Sequence, residues 1–279
     1  MKIPFTKMHG LGNDFILIDC RRKEFGVLSP AFAKLSRKLC HRRFGIGADQ
    51  MLLLYPSDVA DFKMKIFNAD GGEIEMCGNG IRCLAKYIWD RRLSKKDILN
   101  IETLAGIIKP ERAGEQVRVD MGEPIFEPER IPVNIKSSPP IIDYPLRIKD
   151  REFKITCVSM GNPHAVIFLD EDISKFPVHV YGPEIENHLL FPRRTNVEFV
   201  NVINKNKAVM RVWERGSGET PACGTGASAT GVASILKGLT GRKITVQLPG
   251  GKLVIEWANN NRVYMTGPAV EVFEGTVII

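Results

Sequence analysis

Two stretches of this chain are versions of each other, so whatever fold it adopts must be built twice. Phe67–Cys83 (FNADGGEIEMCGNGIRC) and Trp213–Ala229 (WERGSGETPACGTGASA) align at an offset of 146, setting Phe67 on Trp213, Gly72 on Gly218, Glu73 on Glu219 and Cys77 on Cys223. The match continues upstream, with Met64–Phe67 over Met210–Trp213, and with Gln50 and Asn196 each 27 residues before their cysteine. Further out, Gly12-Asn13 and Ile18-Asp19 are echoed by Gly161-Asn162 and Leu169-Asp170. The chain is a tandem duplication in which each half supplies one cysteine and one set of short amides.

A length of 279 residues suits two domains of about 140, each able to bury its own core. Val119–Pro124 resembles Val263–Pro268, so the halves end alike. If the first copy leads the chain into the second domain, the second leads it back. The expected domains are therefore 1–122 plus 268–279, containing Cys77, and 123–267, containing Cys223.

Charge and composition exclude several classes. The net charge of +7 comes from scattered pairs such as Arg42-Arg43 and Lys95-Lys96 without interleaved aromatics, which argues against nucleic acid. Neither a secretory h-region nor an apolar run approaching about 18 residues is visible, so a cytoplasmic, membrane-free protein is expected. The six cysteines show no C-x-x-C spacing and no clustered histidines, which argues against a metal site. Cys20, Cys40, Cys83 and Cys157 lie in apolar patterns and read as small buried hydrophobes.

The pattern reads as α/β or α+β, with much sheet and few helices. Strands are expected at Asp14–Cys20, Gln50–Tyr55, Phe62–Asn68, Val197–Val202, Ala208–Trp213 and Lys243–Leu248 among others, and Ala269–Ile279 should complete the first domain. Ser29 and Pro30 have the character of an N-cap and first helical residue. After Cys77, residues Ile81, Leu84, Ala85, Ile88 and Trp89 give an amphipathic helix with Arg82 and Lys86 on its polar side. The segment Gly224–Leu236 has small side chains and no charge, so its helix must be closely enclosed.

Each Cys-Gly-x-Gly places a thiol where a loop enters a helix. Free N–H groups and the helix dipole there should lower the thiol pKa, and the same N–H groups suit a carboxylate. Two such termini facing each other would put one sulfur on each side of a substrate α-carbon. One thiolate then removes the Cα proton while the opposite thiol returns one, which is two-base racemisation or epimerisation. His164 and Glu214, the latter standing where the first half has Asn68, break the symmetry as groups tuning the sulfurs would. A non-enzymatic binding module and a thiol redox enzyme are the alternatives, and separate loops without C-x-x-C spacing weigh against the second.

The motifs Met76–Gly80 and Ala222–Gly226, with His9–Phe15 and Gly161–His164, resemble those of the diaminopimelate epimerase family from end to end. The resemblance implies cofactor-independent conversion of LL- to meso-diaminopimelate in lysine and peptidoglycan-precursor biosynthesis. It implies two pseudo-symmetric domains, each a curved sheet around a central helix, and commonly a homodimer. Cys77 and Cys223 become the bases, with His164 and Glu214 as modulators. Asn13, Gln50, Asn68, Gly78, Asn79, Asn162, Asn196, Glu214, Arg215, Gly224 and Thr225 become substrate contacts. Thr225 replaces a serine common in the family, and Phe273 stands where some members have a dimer-contact tyrosine. Proline racemases resemble the chain at Cys-Gly-x-Gly but typically carry His where Asn79 stands.

Overall fold

A computed structural model describes residues 2–21 and 31–278. The proposed cap at Ser29 and Pro30 lies outside the described residues. Contacts divide the chain into two compact units, Met1–Val119 with Thr266–Ile279, and Asp120–Met265. In chain order the elements begin with β1 (Lys2–Gly10), β2 (Asn13–Asp19), α1 (Phe32–Cys40), β3 (Gln50–Tyr55), β4 (Phe62–Asn68) and β5 (Glu73–Ile74). Then come α2 (Gly78–Asp90), β6 (Ile101–Thr103), β7 (Gly106–Ile108), β8 (Pro110–Ala113), β9 (Gln116–Asp120) and β10 (Tyr144–Ile148). Next are β11 (Arg151–Ser159), β12 (Pro163–Phe168), α3 (Val178–Glu186), β13 (Asn196–Asn204), β14 (Lys207–Glu214) and β15 (Gly218–Thr220). The last are α4 (Gly224–Leu236), β16 (Lys243–Leu248), β17 (Gly251–Trp257), β18 (Val263–Gly267) and β19 (Val270–Ile278). The α+β class is thus sheet-rich, with four helices among the described residues.

In the first unit the sheet runs β19-β1-β2-β3-β4-β6-β7, with β5 on β4. Pairs β2/β3 and β4/β6 are parallel, and the ladder β1/β19 is antiparallel over the length of the last strand. Helix α2 packs on β1, β2, β3, β4 and β19 and is nearly enclosed. Its polar side is therefore not what the amphipathic spacing suggested: Lys86 is half-buried, but Arg82 has no solvent exposure. The guanidinium donates to Asn79 Oδ1 at 2.9 Å, Gly78 O at 3.3 Å and Pro268 O at 3.1 Å, so hydrogen bonds replace the water that a surface position would supply. Helix α1 lays Phe32, Leu35, Leu39 and Cys40 on β3 and β4 in a second core layer.

The second unit contains the strand order β10-β11-β12-β13-β14-β16-β17-β18, with β15 on β14. Its parallel pairs, β12/β13 and β14/β16, occupy the places of β2/β3 and β4/β6. Helix α4 is buried throughout Gly226–Ser234 and contacts β11, β12, β13, β14, β16 and β17. The small side chains have a steric cause: a Cβ on Gly231 would lie 2.6 Å from Ile255 Cγ2. Gly238, at φ +65, closes the helix by donating its N–H to Ile235 O at 2.9 Å. Helix α3 has no sequence signature, since it contains Pro183 and a glycine. It exists because Gly182 lets it press on Trp213, whose Cγ lies 2.6 Å from where a Cβ would stand.

Candidate active site

Both cysteines are helix N-caps in extended conformation, Cys77 for α2 and Cys223 for α4. Each sulfur accepts the N–H of the third helical residue at 3.4 Å, from Gly80 and from Gly226. Sulfur thus takes the place of the usual capping oxygen. Gly78 and Gly224 are the first helical residues, so no side chain stands directly after either capping sulfur.

In the first unit Cys77 is half-buried, and its thiol donates to Asn13 Oδ1 at 3.7 Å. Asn79 Nδ2 donates to the same oxygen at 3.2 Å. The Asn13 amide is oriented from the far side by Asp49, whose Oδ2 accepts from Nδ2 at 2.9 Å. Gln50 and Asn68 face each other in the β3/β4 register, with Gln50 Nε2 donating to Asn68 Oδ1 at 2.8 Å. Gln50 Oε1 is buried without a hydrogen-bond partner, so one strong acceptor is left over at this centre.

The second unit is more enclosed and more acidic. Cys223 is 4% exposed, with Thr225 Oγ1 at 3.5 Å from its sulfur. Burial pushes its thiol well above the ordinary range, and the charges of Glu214 and Glu198 add to this. The dipole argument from sequence therefore loses here to desolvation and two carboxylates. Glu214 accepts a short hydrogen bond from Thr220 Oγ1. His164 has no exposure and sits with Nδ1 2.7 Å from Glu198 Oε1 and Nε2 2.9 Å from Asn162 Oδ1. Burial raises Glu198 above the usual carboxylate range against the pull of His164.

Asn196 is engaged at both ends: Nδ2 donates to Pro163 O at 2.8 Å, and Oδ1 accepts the Arg215 N–H at 3.0 Å. Its carboxamide positions Arg215, whose exposed side chain donates to Arg193 O at 3.2 Å. Glu186 braces the same turn, accepting from Trp213 Nε1 at 2.7 Å and Gly216 N at 2.8 Å. Asn13, Gly78 and Asn79 therefore stand around Cys77, and Gln50 and Asn68 pair with each other in the same unit. Asn162, His164, Asn196, Glu214, Arg215, Gly224 and Thr225 belong to the second unit with Cys223. Phe273 lies on β19, 48% exposed, edge-on to Phe5 with ring centroids 5.9 Å apart. Arg82, Asp49, Glu186 and Glu198 escaped the sequence reading. For Glu198 a signal existed, since the offset of 146 sets it on Leu52.

A family model described as diaminopimelate epimerase matches residues 5–127 and 156–272. A diaminopimelate epimerase of Acetivibrio thermocellus is 54% identical over 98% of each chain. One from Methanococcus maripaludis is 52% identical over 99% of this chain and all of its own. Among solved structures, a Bacillus anthracis phenazine biosynthesis protein superposes over the full length of both chains with a TM-score of 0.72 at 18% identity. A hydroxyproline epimerase from Agrobacterium vitis does so over 99% of this chain and 92% of its own, with a TM-score of 0.67 at 13% identity. At such identities these two report the shared fold alone. The sequence matches go further, and the chain belongs to the diaminopimelate epimerase family.

Proposed function

We propose that this protein epimerises diaminopimelate, interconverting the LL and meso forms with Cys77 and Cys223 as an alternating base and acid. The observation that carries the reading is the repeated cap: two thiols, each on the N-terminus of a buried helix, in a member of this family. Inversion needs a base on one face of Cα and an acid on the other. One thiolate takes the α-proton as the Cα–H electrons move toward the carboxylate, and the other thiol donates its proton to the opposite face. The helix-terminal N–H groups stabilise the negative charge that develops on the carboxylate. A conjugate pair of this kind asks for neither pyridoxal phosphate nor a metal ion.

The remaining polar groups suit a substrate with two amino-acid heads. Arg215 is the cation for a distal carboxylate, and Gln50 Oε1, buried and unpartnered, is an acceptor for an ammonium. Asn13, Asn68, Asn79, Asn162 and Asn196 supply or position further amides, and His164 and Glu214 set the proton affinity of Cys223. Cytoplasmic biosynthesis of lysine and peptidoglycan precursors is the setting of such a reaction. A homodimer is supported by β19, an edge strand showing Val270, Val272, Phe273 and Ile278 to solvent. Sedimentation of the wild type beside Phe273→Asp tests that contact, and a monomeric wild type would end it.

The chemistry is tested by incubating the purified protein with LL-diaminopimelate in deuterated water. Early label should collect in the meso product while recovered substrate keeps its protium. Equal early label in both would indicate one base, and inversion of proline at a comparable rate would move the reading to the proline racemases.

A further inference from the structure

Beneath the third residue of each central helix the two units place different chemistry. A Cβ on Gly80 would lie 3.1 Å from Leu52 Cδ2 and 3.4 Å from Phe15 Cε1. A Cβ on Gly226 would lie 2.8 Å from Glu198 Oε1 and 3.3 Å from Cys223 Sγ. The registers show these to be the same places. Phe15 pairs with Gln50 as His164 pairs with Asn196, and Leu52 pairs with Ile66 as Glu198 pairs with Val212. The apolar pair Phe15 and Leu52 of one unit is thus the carboxyl–imidazole pair Glu198 and His164 of the other. All four side chains are buried, with His164 and Glu198 at 0% exposure. The first unit shows that the fold closes on the apolar pair, and burying ionisable groups instead costs stability.

We propose that Glu198 is a positioning residue for the Cys223 centre: it shares one proton with His164 and, through that ring, fixes the Asn162 carboxamide for the substrate. This rests on the epimerase reading. Asn162 Oδ1 can only accept, so His164 Nε2, at 2.9 Å, holds its proton there. One more proton then lies between Nδ1 and Glu198 Oε1 at 2.7 Å, and the pair is neutral wherever along that bond it sits. Neutrality fits Glu198 Oε2, which is buried with no hydrogen-bond partner and would be poorly placed as a free charge. With its oxygen turned to the ring, Asn162 presents its amide N–H groups as donors. Removing Glu198 orphans Nδ1, frees the ring to turn, and releases the carboxamide with it.

Three variants separate positioning from folding. Glu198→Leu should raise KM for diaminopimelate about tenfold and lower kcat/KM about a hundredfold; an unfolded fraction lowers kcat but cannot raise KM. Glu198→Gln can donate its amide to Nδ1 and keep the Nε2 proton in place, so both constants should stay within about threefold of wild type. His164→Phe with Glu198→Leu gives the second unit the pair that the first already packs. It should melt no lower than Glu198→Leu yet keep the raised KM. Wild-type constants in Glu198→Leu, equal loss in Glu198→Gln, or recovery of KM in the double variant would each overturn the role. A wild type that leaves diaminopimelate unchanged overturns the epimerase reading and this role together, whereas an active wild type beside an unaltered Glu198→Leu overturns the role alone.

Discussion

The two cysteine centres share a backbone and differ in everything behind it. Around Cys77 stand neutral amides and the buried guanidinium of Arg82; around Cys223 stand Glu214, Glu198 and His164 in a drier pocket. The Arg82 position itself becomes Ser228 in the second unit, where the hydroxyl donates to Gly224 O at 2.9 Å. Duplication kept the device that needs backbone geometry, a sulfur capping a helix, and let the electrostatics diverge. An enzyme working in both directions across a chiral centre gains from this, because two identical surroundings would not distinguish the faces of an asymmetric substrate. The largest effect that tests the comparison is removal of either sulfur. Cys77→Ala and Cys223→Ala should each lose epimerisation by at least about a thousandfold, since neither unit replaces the other's proton. Turnover near wild type in either variant would make that cysteine structural.

A smaller effect measures how far the two thiols have diverged. Cys77 is half-buried, whereas Cys223 is buried and pushed up by desolvation, Glu214 and Glu198. A raised thiol forms thiolate only at higher pH, so at pH 7.5 iodoacetamide should modify Cys77 at least about tenfold faster, with the gap narrowing as pH rises. Peptide mapping reads both sites in one sample. Equal rates would show that the carboxylates around Cys223 do not act on it. The four remaining cysteines are buried, with burial raising Cys20, Cys83 and Cys157 to about 12, so they form a silent background.

The duplication made much of this legible before any coordinates. The spacing of Cys77 and Cys223 to their glycines predicted both helix starts, and the smallness of Ala227–Ser234 predicted an enclosed helix. What stayed hidden had no local signature. Arg82 follows the polar period of α2 and is buried only because Asn79, Gly78 and Pro268 meet its guanidinium there. Helix α3 carries Pro183 and is held by Trp213, which is far away in sequence. The rise of Cys223 comes first from burial and then from Glu214 and Glu198, and Glu198 looks like an ordinary polar residue within a β-strand until it is set beside Leu52.

The last difference lies in how each unit braces the loop before its third repeated strand. In the first unit Asp14 accepts from Lys7 Nζ at 2.7 Å and from Arg42 at 2.8 and 3.0 Å, and the Asp49 N–H donates to it at 2.9 Å. At the matching places the second unit has Pro163 and Thr195, whose hydroxyl donates to Asn196 O at 3.0 Å. At these two positions the first unit carries carboxylates and the second carries none. Burial alone would raise Asp14, but the bonds from Arg42 and Lys7 outweigh it and lower the group from 3.8 to about 2. Because the folded value lies below the unfolded one, the contribution is complete above about pH 4 and lost as pH falls toward 2, and it amounts to roughly 2 kcal/mol. The Asp14 side chain is 16% exposed but that of Arg42 is 59% exposed, so solvent screening trims that figure. Amide exchange of Gly47 and Asp49, corrected for intrinsic rates, should therefore lose protection across this window. The Arg215 N–H, held by the neutral Asn196 carboxamide, should keep its protection to lower pH. Asp14→Asn should weaken the first loop at pH 7 and flatten its acid dependence. Parallel loss at Gly47, Asp49 and Arg215 in the wild type would mean that acid opens the whole molecule at once, and the ionic brace would then have no separate existence.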